Sequence, residues 1–301
     1  MEEIIKKAGI LVESLPYIHE FSGKTFVVKY GGSVMENEEA KKNIILDIIF
    51  MKKVGINPIL VHGGGKKITK IMDIMGKKAS FVNGYRVTDK ETMDIVEMVL
   101  AGSLNKELVN LINLYGGNAV GVSGKDGKCI KARKLLVKSK EKNTKNPYLD
   151  IGFIGEVESI DTTLLNLLPK NGFIPVISSI GFGEKGETYN INADTLASRV
   201  ACALKATKLI LLTDVDGILN KKGKLIPSLE INEAKKLIQN SIAKDGMELK
   251  VNACIEALNA GVEKTHIIGA GLPHALLLEI FTQKGIGSEI VRNSKIRNKG
   301  K

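Results

Sequence analysis

The chain has no tryptophan, 5% aromatic residues and three cysteines in 301 residues. Cys129, Cys202 and Cys254 lie far apart, no C-x-x-C pair occurs, and the four histidines show no ligand spacing. This argues against both a disulfide framework and a structural metal site. Long apolar runs are missing too. The densest, Leu209 to Leu212, is far too short to cross a bilayer. The start, Met1-Glu2-Glu3, lacks the basic head and unbroken apolar core of a signal peptide. A cytoplasmic protein with no membrane contact is expected. Helix-turn-helix, zinc-finger and RNP patterns are absent, and the basic stretches Lys131 to Lys145 and Arg292 to Lys301 do not interleave aromatics. The formal charge of +11 therefore reads as a lysine-rich solvated surface, not a nucleic-acid footprint.

What is present is an alternation of strand and helix patterns, in a chain long enough for one large α/β domain or two lobes sharing a sheet. Ile4, Ala8, Leu11 and Leu15 recur at helical spacing. Pro16 disfavours helical geometry at Leu15, so a second short helical piece through Tyr17, Ile18 and Phe21 is predicted, giving a bent helix before the first strand. Strands are predicted at Thr25–Tyr30, Asn57–Val61, Asn118–Val122, Phe173–Ser178, Leu209–Thr213 and Lys264–Ile268. Helices are predicted at 36–53, from Gly63-Gly64-Gly65 to Met75, from Thr88 or Asp89 to about Leu114, and at 193–204, 231–239, 247–260 and 274–281. Ser80–Val87 reads as a hairpin turning at Asn83-Gly84, and Gly127–Ser139 as a second hairpin with a polar loop. Such an order predicts a largely parallel sheet covered on both faces. One continuous fold with two functional halves meeting near Gly181 is expected.

Two glycine clusters directly follow strands: Gly31-Gly32 and Gly63-Gly64-Gly65. Glycine lets backbone approach an anion closely, and a helix N-terminus then offers free N–H groups and a favourable dipole. In open α/β sheets ligands bind at the carboxyl ends of strands. Neither cluster fits Walker A or G-x-G-x-x-G, so a phosphate site of another type is implied. Lys29 lies inside an apolar strand. It either snorkels to solvent or points into a site. Asn192 caps the following helix in the plainest reading, with Asp194 complementing its dipole, but that leaves Asn190 unexplained. Asp214 and Asp216 end the most apolar strand, forming a turn or facing a nucleotide. Lys250, in the first turn of a helix opening near Asp245-Gly246-Met247, opposes the dipole unless an anion needs it.

The order Val28-Lys29-Tyr30-Gly31-Gly32, Val61-His62-Gly63-Gly64-Gly65, Asn83-Gly84-Tyr85-Arg86-Val87-Thr88, Asn190-Ile191-Asn192-Ala193-Asp194, Thr213-Asp214-Val215-Asp216-Gly217 and Asp245-Gly246-Met247 with Lys250 resembles the amino acid kinase family over about residues 24 to 291. The N-G-x-R-V-T and N-x-N-A-D elements resemble members that phosphorylate the γ-carboxylate of N-acetyl-L-glutamate, an early step of arginine biosynthesis. The resemblance implies a three-layer αβα sandwich with a mainly parallel central sheet, using ATP with Mg²⁺. Residues 24–180 would bind the amino acid and form most of a dimer interface, and residues 181–301 would bind ATP. By motif position Lys29 and Lys250 would contact the phosphoryl group in transit and Asp194 would orient both. Gly64, Gly65, Arg86 and Asn190 would hold the substrate. Gly31 and Gly32 would border the phosphates, with Asp214 near the nucleotide.

Residues 1–23, ahead of the first strand, resemble the arginine-inhibited branch, in which a kinked N-terminal helix joins dimers into a hexamer. Tyr17, Lys208, His266, Glu279 and Gly285 would contact arginine as an allosteric inhibitor. Ser288 replaces that branch's usual threonine but keeps a hydroxyl. Competing readings are a kinase of the same fold acting on carrier-linked aminoadipate or glutamate, aspartate kinase, which no long tail after residue 291 supports, and a non-catalytic nucleotide or arginine sensor.

Overall fold

The computed structural model describes residues 1–138, 147–282 and 285–292. Helix α1 (Glu2–Phe21) leads into β1 (Thr25–Tyr30), a 3₁₀ turn (Gly32–Glu36) and α2 (Glu38–Lys53). Then come β2 (Asn57–His62), α3 (Gly65–Ile74), the hairpin of β3 (Phe81–Val82) and β4 (Tyr85–Arg86), and α4 (Lys90–Glu97). A π-helical segment (Met98–Leu104) joins α4 to α5 (Asn105–Leu114), and β5 (Ala119–Val122) follows. β6 (Ile130–Lys134), β7 (Val137–Lys138), β8 (Tyr148–Leu149), β9 (Ile154–Ile160) and α6 (Thr163–Lys170) precede β10 (Ile174–Ser178), β11 (Ile180–Phe182) and β12 (Thr188–Ile191). The remainder is α7 (Ala193–Ala203), β13 (Lys208–Thr213), β14 (Ser228–Glu230), α8 (Ile231–Gln239), α9 (Asp245–Asn259), β15 (Lys264–Gly269), α10 (Ala275–Ile280) and β16 (Ser288–Val291).

Among the described residues the main sheet has the order β14-β16-β15-β13-β1-β2-β10-β5. Its pairings are parallel except β15 with β16. Strands from both predicted halves thus share one sheet. Period-two alternation sends successive side chains to opposite faces. Val27, Ile59, Val61, Leu209 and Leu211 pack under Leu196 and Val200 of α7 and Val251 and Leu258 of α9. Phe26, Val28, Leu60, Ile210 and Leu212 pack under Ile44, Ile45 and Ile48 of α2, Leu108 of α5 and Leu276 of α10. The molecule is a three-layer αβα sandwich with a mainly parallel sheet, as the resemblance implied. A smaller sheet, β11-β12-β9-β6, closes on itself beside it.

Three predicted elements need correction. The N-terminal segment is one helix rather than two pieces, with Pro16 inside it. The missing proline N–H forfeits one intrahelical bond, but the turns on either side carry the helix through. The segment from Gly127 is not a hairpin: β6 pairs with β9, some twenty-five residues later, and β7 pairs with β8. Ser139, the end of that predicted hairpin, lies outside the described residues, as do the later part of the 131–145 basic stretch and the tail from 293. Finally, α9 begins at Asp245, which puts Lys250 in the second turn, where the dipole is weaker.

Ile48 is fully buried between α2 and the sheet. Ile48→Ala is expected to cost about 2–5 kcal/mol, read from urea denaturation with an unchanged m-value.

Candidate active site

β1 and β2 run side by side and end together, Tyr30 opposite His62. Each is followed by glycines, and α3 opens at Gly64 with no side-chain cap. The first N–H groups of an uncapped helix have no intrahelical partner. Gly31, Gly32, Gly63, Gly64 and Gly65 line one wall of a cavity of about 200 Å³. Arg86, Asn190, Asp194 and Lys29 line it as well. The glycine turn has little slack: a methyl at position 64 would meet Leu104 Cδ1 at 2.3 Å and Leu100 Cδ2 at 2.8 Å. A methyl on Gly31 would sit 3.0 Å from the Lys29 ammonium.

Lys29 shares a sheet face with Val27, so it points toward α7 and not into solvent. Its ammonium lies 3.1 Å from Asp194 Oδ1. Lys250, from α9, donates to Asp194 Oδ2 at 2.6 Å. All three side chains are largely buried. Burial works to raise the carboxyl pKa of Asp194, but Lys29 and Lys250 outweigh it and hold the group ionised below its usual range. Burial dominates at Lys29 and lowers its ammonium pKa, against the pull of Asp194. Asn192 caps α7 by accepting from the N–H groups of Asp194 and Thr195, as in the plain reading. That cap orders the turn that presents Asp194. Asp214 directly follows β13, which runs parallel to β1, and its charge acts on Lys29.

Arg86 is buried and stacks over the Phe81 ring at 4.7 Å. It donates to the Gly65 carbonyl and to Thr69 Oγ1, each at 2.8 Å. A guanidinium held flat by stacking and by the α3 turn presents fixed charge to a carboxylate. Phe81, Tyr85, Ile154 and Ser179 also line the cavity but escaped the sequence reading. Ile154 was missed because β9 carries no turn signal that marks it. Ser179 sits where β10 gives way to β11, a junction with no pattern of its own.

The second set of predicted residues gathers elsewhere. His266 Nδ1 lies 2.7 Å from Glu279 Oε1, and Glu279 Oε2 accepts the N–H groups of Ile286 and Gly287. Gly285 adopts positive φ against that carboxylate, where a methyl would meet Oε2 at 2.8 Å. Lys208 lies over the Phe21 ring at 4.6 Å, and burial pushes its ammonium down to about 8. Tyr17 packs edge-on against Phe281 and leans on Phe21. Buried His266 Nε2 has no hydrogen-bond partner among the described residues.

Residues 24–269 match the model of the amino acid kinase family. The chain belongs to the amino acid kinase family. An acetylglutamate kinase from Syntrophobacter fumaroxidans is 53% identical over 290 residues, covering 96% of this chain and 97% of that protein. Among solved structures, N-acetylglutamate synthase from Neisseria gonorrhoeae complexed with coenzyme A and N-acetyl-glutamate superposes with a TM-score of 0.83 at 25% identity. This family member spans 95% of itself but 64% of that synthase. The same synthase complexed with coenzyme A and L-arginine gives 0.80, again at 25% identity, with 95% and 65% covered.

Asp194 is the shared counter-ion of Lys29 and Lys250 in this kinase-family site. Asp194→Ala leaves buried ammonium groups without a counter-ion and is expected to cost about 3–5 kcal/mol, measured by urea denaturation.

Proposed function

We propose that the protein transfers the γ-phosphoryl group of ATP to the side-chain carboxylate of N-acetyl-L-glutamate. The observation that carries this reading is the pair of ammonium groups from β1 and α9 on one buried aspartate, at the rim of a cavity walled by glycine amides and Arg86. Relatives of near-equal length that carry the name acetylglutamate kinase supply the substrate.

A carboxylate acceptor, with pKa of roughly 4.3 when free, is ionised at neutral pH and needs no general base. The obstacle is that acceptor and γ-phosphate are both anions. Lys29 and Lys250 offset this repulsion from two sides, and transfer then depends on positioning and charge stabilisation. Asp194 holds both lysines and is not itself a base. Arg86 clamps the α-carboxylate, Gly64 and Gly65 donate their N–H groups to the substrate, and Asn190 holds its remaining polar atoms. Gly31 and Gly32 leave room for the phosphates, and Asp214 faces the nucleotide. Mg²⁺ adds charge neutralisation when bound. Both Asp194 oxygens face ammonium groups, and no cluster of three candidate metal ligands occurs among the described residues. These residues fit a metal carried in on the phosphates, since magnesium takes few protein ligands in such sites. In this reading residues 24–180 supply most of the amino-acid site and residues 181–301 most of the nucleotide site, with Asn190 and Gly31-Gly32 reaching across the division.

The same reading extends to feedback control by L-arginine at Tyr17, Lys208, His266, Glu279 and Gly285. Glu279 supplies a carboxylate for a guanidinium. The Nδ1–H of neutral His266 donates to Glu279, which leaves Nε2 as an acceptor for an arginine N–H group. Exposed Ile5, Ile10, Leu11, Val12 and Leu15 on α1 suit its burial between dimers in a hexamer, in a cytoplasmic enzyme.

ATP consumption with N-acetyl-L-glutamate, L-glutamate and L-aspartate side by side is expected to show turnover with the first. Preference for L-aspartate, or for a carrier-linked acceptor, would overturn the assignment. Lys29→Ala and Lys250→Ala are each expected to lower kcat by on the order of a hundredfold. Near-normal kcat in either variant would remove that lysine from the mechanism. An L-arginine dose series should inhibit the wild type, and Glu279→Gln should weaken that inhibition at least tenfold while leaving uninhibited turnover in place; a flat dose response would end the regulatory reading.

A further inference from the structure

His62 is the last residue of β2, and it is fully buried. Its side chain falls on the α2–α5 face of the sheet, beneath the Gly63-Gly64-Gly65 turn. Nδ1 lies 3.0 Å from the Gly63 carbonyl oxygen. A carbonyl only accepts, so Nδ1 carries the proton in this contact. Nε2 lies 3.2 Å from Asn105 Nδ2. The orientation of the Asn105 amide is fixed independently. Its Nδ2 donates to the Val176 carbonyl at 2.8 Å, and its Oδ1 accepts from Lys106 Nζ at 3.3 Å. Asn105 therefore donates to Nε2, which locks the imidazole in the Nδ1–H form. Burial lowers the imidazole pKa to about 4, in keeping with a neutral ring.

Two further features serve this contact. Gly121 on β5 has no side chain where one would overlap Asn105 Oδ1, at 1.8 Å. The π-helical segment ends immediately before Asn105. Its wider turn sets Leu100 and Leu104 against Gly64 and still delivers Asn105 to the sheet end. A straight α-helix would rotate these residues apart by roughly a quarter turn.

We propose that Asn105 and His62 form a positioning relay that aims the Gly64 N–H into the substrate cavity. The Gly63 carbonyl and the Gly64 N–H belong to one planar trans peptide and point in opposite directions. Pinning the carbonyl onto His62 Nδ1–H turns the N–H away from His62, toward the cavity that Gly64 lines. Glycine permits that peptide to rotate, and the relay removes the freedom. The donor is thereby oriented before substrate arrives, as electrostatic stabilisation requires. This inference rests on the assignment of N-acetyl-L-glutamate to that cavity.

Asn105→Asp provides the test. When ionised, the introduced carboxylate can only accept, and one of its oxygens then also faces the Val176 carbonyl. At about pH 8 it draws the imidazole proton to Nε2, leaving a bare Nδ1 facing the Gly63 carbonyl. Toward pH 6 the pair takes up a proton, on the buried carboxyl or on the imidazole beside it, and in either case the Nδ1–H returns. Relative to wild type at each pH, kcat/KM for N-acetyl-L-glutamate is expected to fall about tenfold or more at pH 8 and to recover toward pH 6. KM for ATP is expected to change little. A defect that ignores pH, or one that raises both KM values together, would overturn the relay. Should that variant fail to fold, the pair His62→Asn and His62→Gln replaces it. The asparagine keeps an N–H at the δ position and is expected to be about tenfold more active than the glutamine; equal activity would overturn the proposal. Wild type inactive on N-acetyl-L-glutamate would remove the substrate assignment instead, so the two failures are distinguishable.

Discussion

A single buried carboxylate between two ammonium groups holds the site together. Without Asp194, Lys29 and Lys250 would repel each other in a region of low dielectric, and burial would drive Lys29 toward its neutral form. With it, the trio keeps one net positive charge, and both cations meet at a carboxylate that lines the cavity. The cost of burying such charges exceeds what stability alone would favour. That expense is consistent with a site whose task is to accept further anions. The three side chains come from β1, α7 and α9, so the sheet and the two helices above it must be assembled before the site exists.

The opposite wall works by removing side chains. The glycine turns leave backbone where bulk would block approach, and Leu100 and Leu104 close over Gly64 so tightly that no methyl fits. Beneath it, His62 and Asn105 tie the turn to β10 through the Val176 carbonyl. Charge comes from one face of the sheet and backbone dipoles are steadied from the other. This division follows from strand alternation: Lys29 and His62 lie at matching strand ends on opposite faces.

The Lys208–His266–Glu279 cluster stands at the far side of the same frame. β13 starts with Lys208 and ends just before Asp214, roughly 20 Å of extended chain apart. Strands paired over their full length are stiff, so a shift at the Lys208 end of β13 is carried along the strand to its Asp214 end. Ser288 offers a direct link: its hydroxyl accepts from the Ile218 N–H and donates to the Ile226 carbonyl, joining β16 to the loop after β13.

Much of the fold was legible because local pattern and tertiary environment agree. Buried parallel strands such as Leu209–Thr213 are apolar on both faces, the Asn83-Gly84 turn needs positive φ at both residues, and Asn192 and Asp89 cap helices through contacts two or three residues away. The short strands β6 and β9 were not legible, since their partners are set by long-range closure of the smaller sheet and not by any turn between neighbours. The amphipathic start of α1 was visible, but its continuity through Pro16 was not, because a proline's local penalty does not reveal whether adjoining turns outweigh it.

The sequence by itself determined the strand–helix alternation and the glycine turns, because each leaves a local mark in spacing or composition; Lys29, Arg86, Asp194 and Lys250 were assigned roles through the resemblance to the family's motifs. Tertiary structure alone decided that the Lys29 side chain is buried rather than solvated, that Lys250 meets it 221 positions away across Asp194, and that His62 and Asn105 share a proton pattern beneath the glycine turn. Charge pairing and tautomer choice depend on distances across the chain, and no local pattern encodes those.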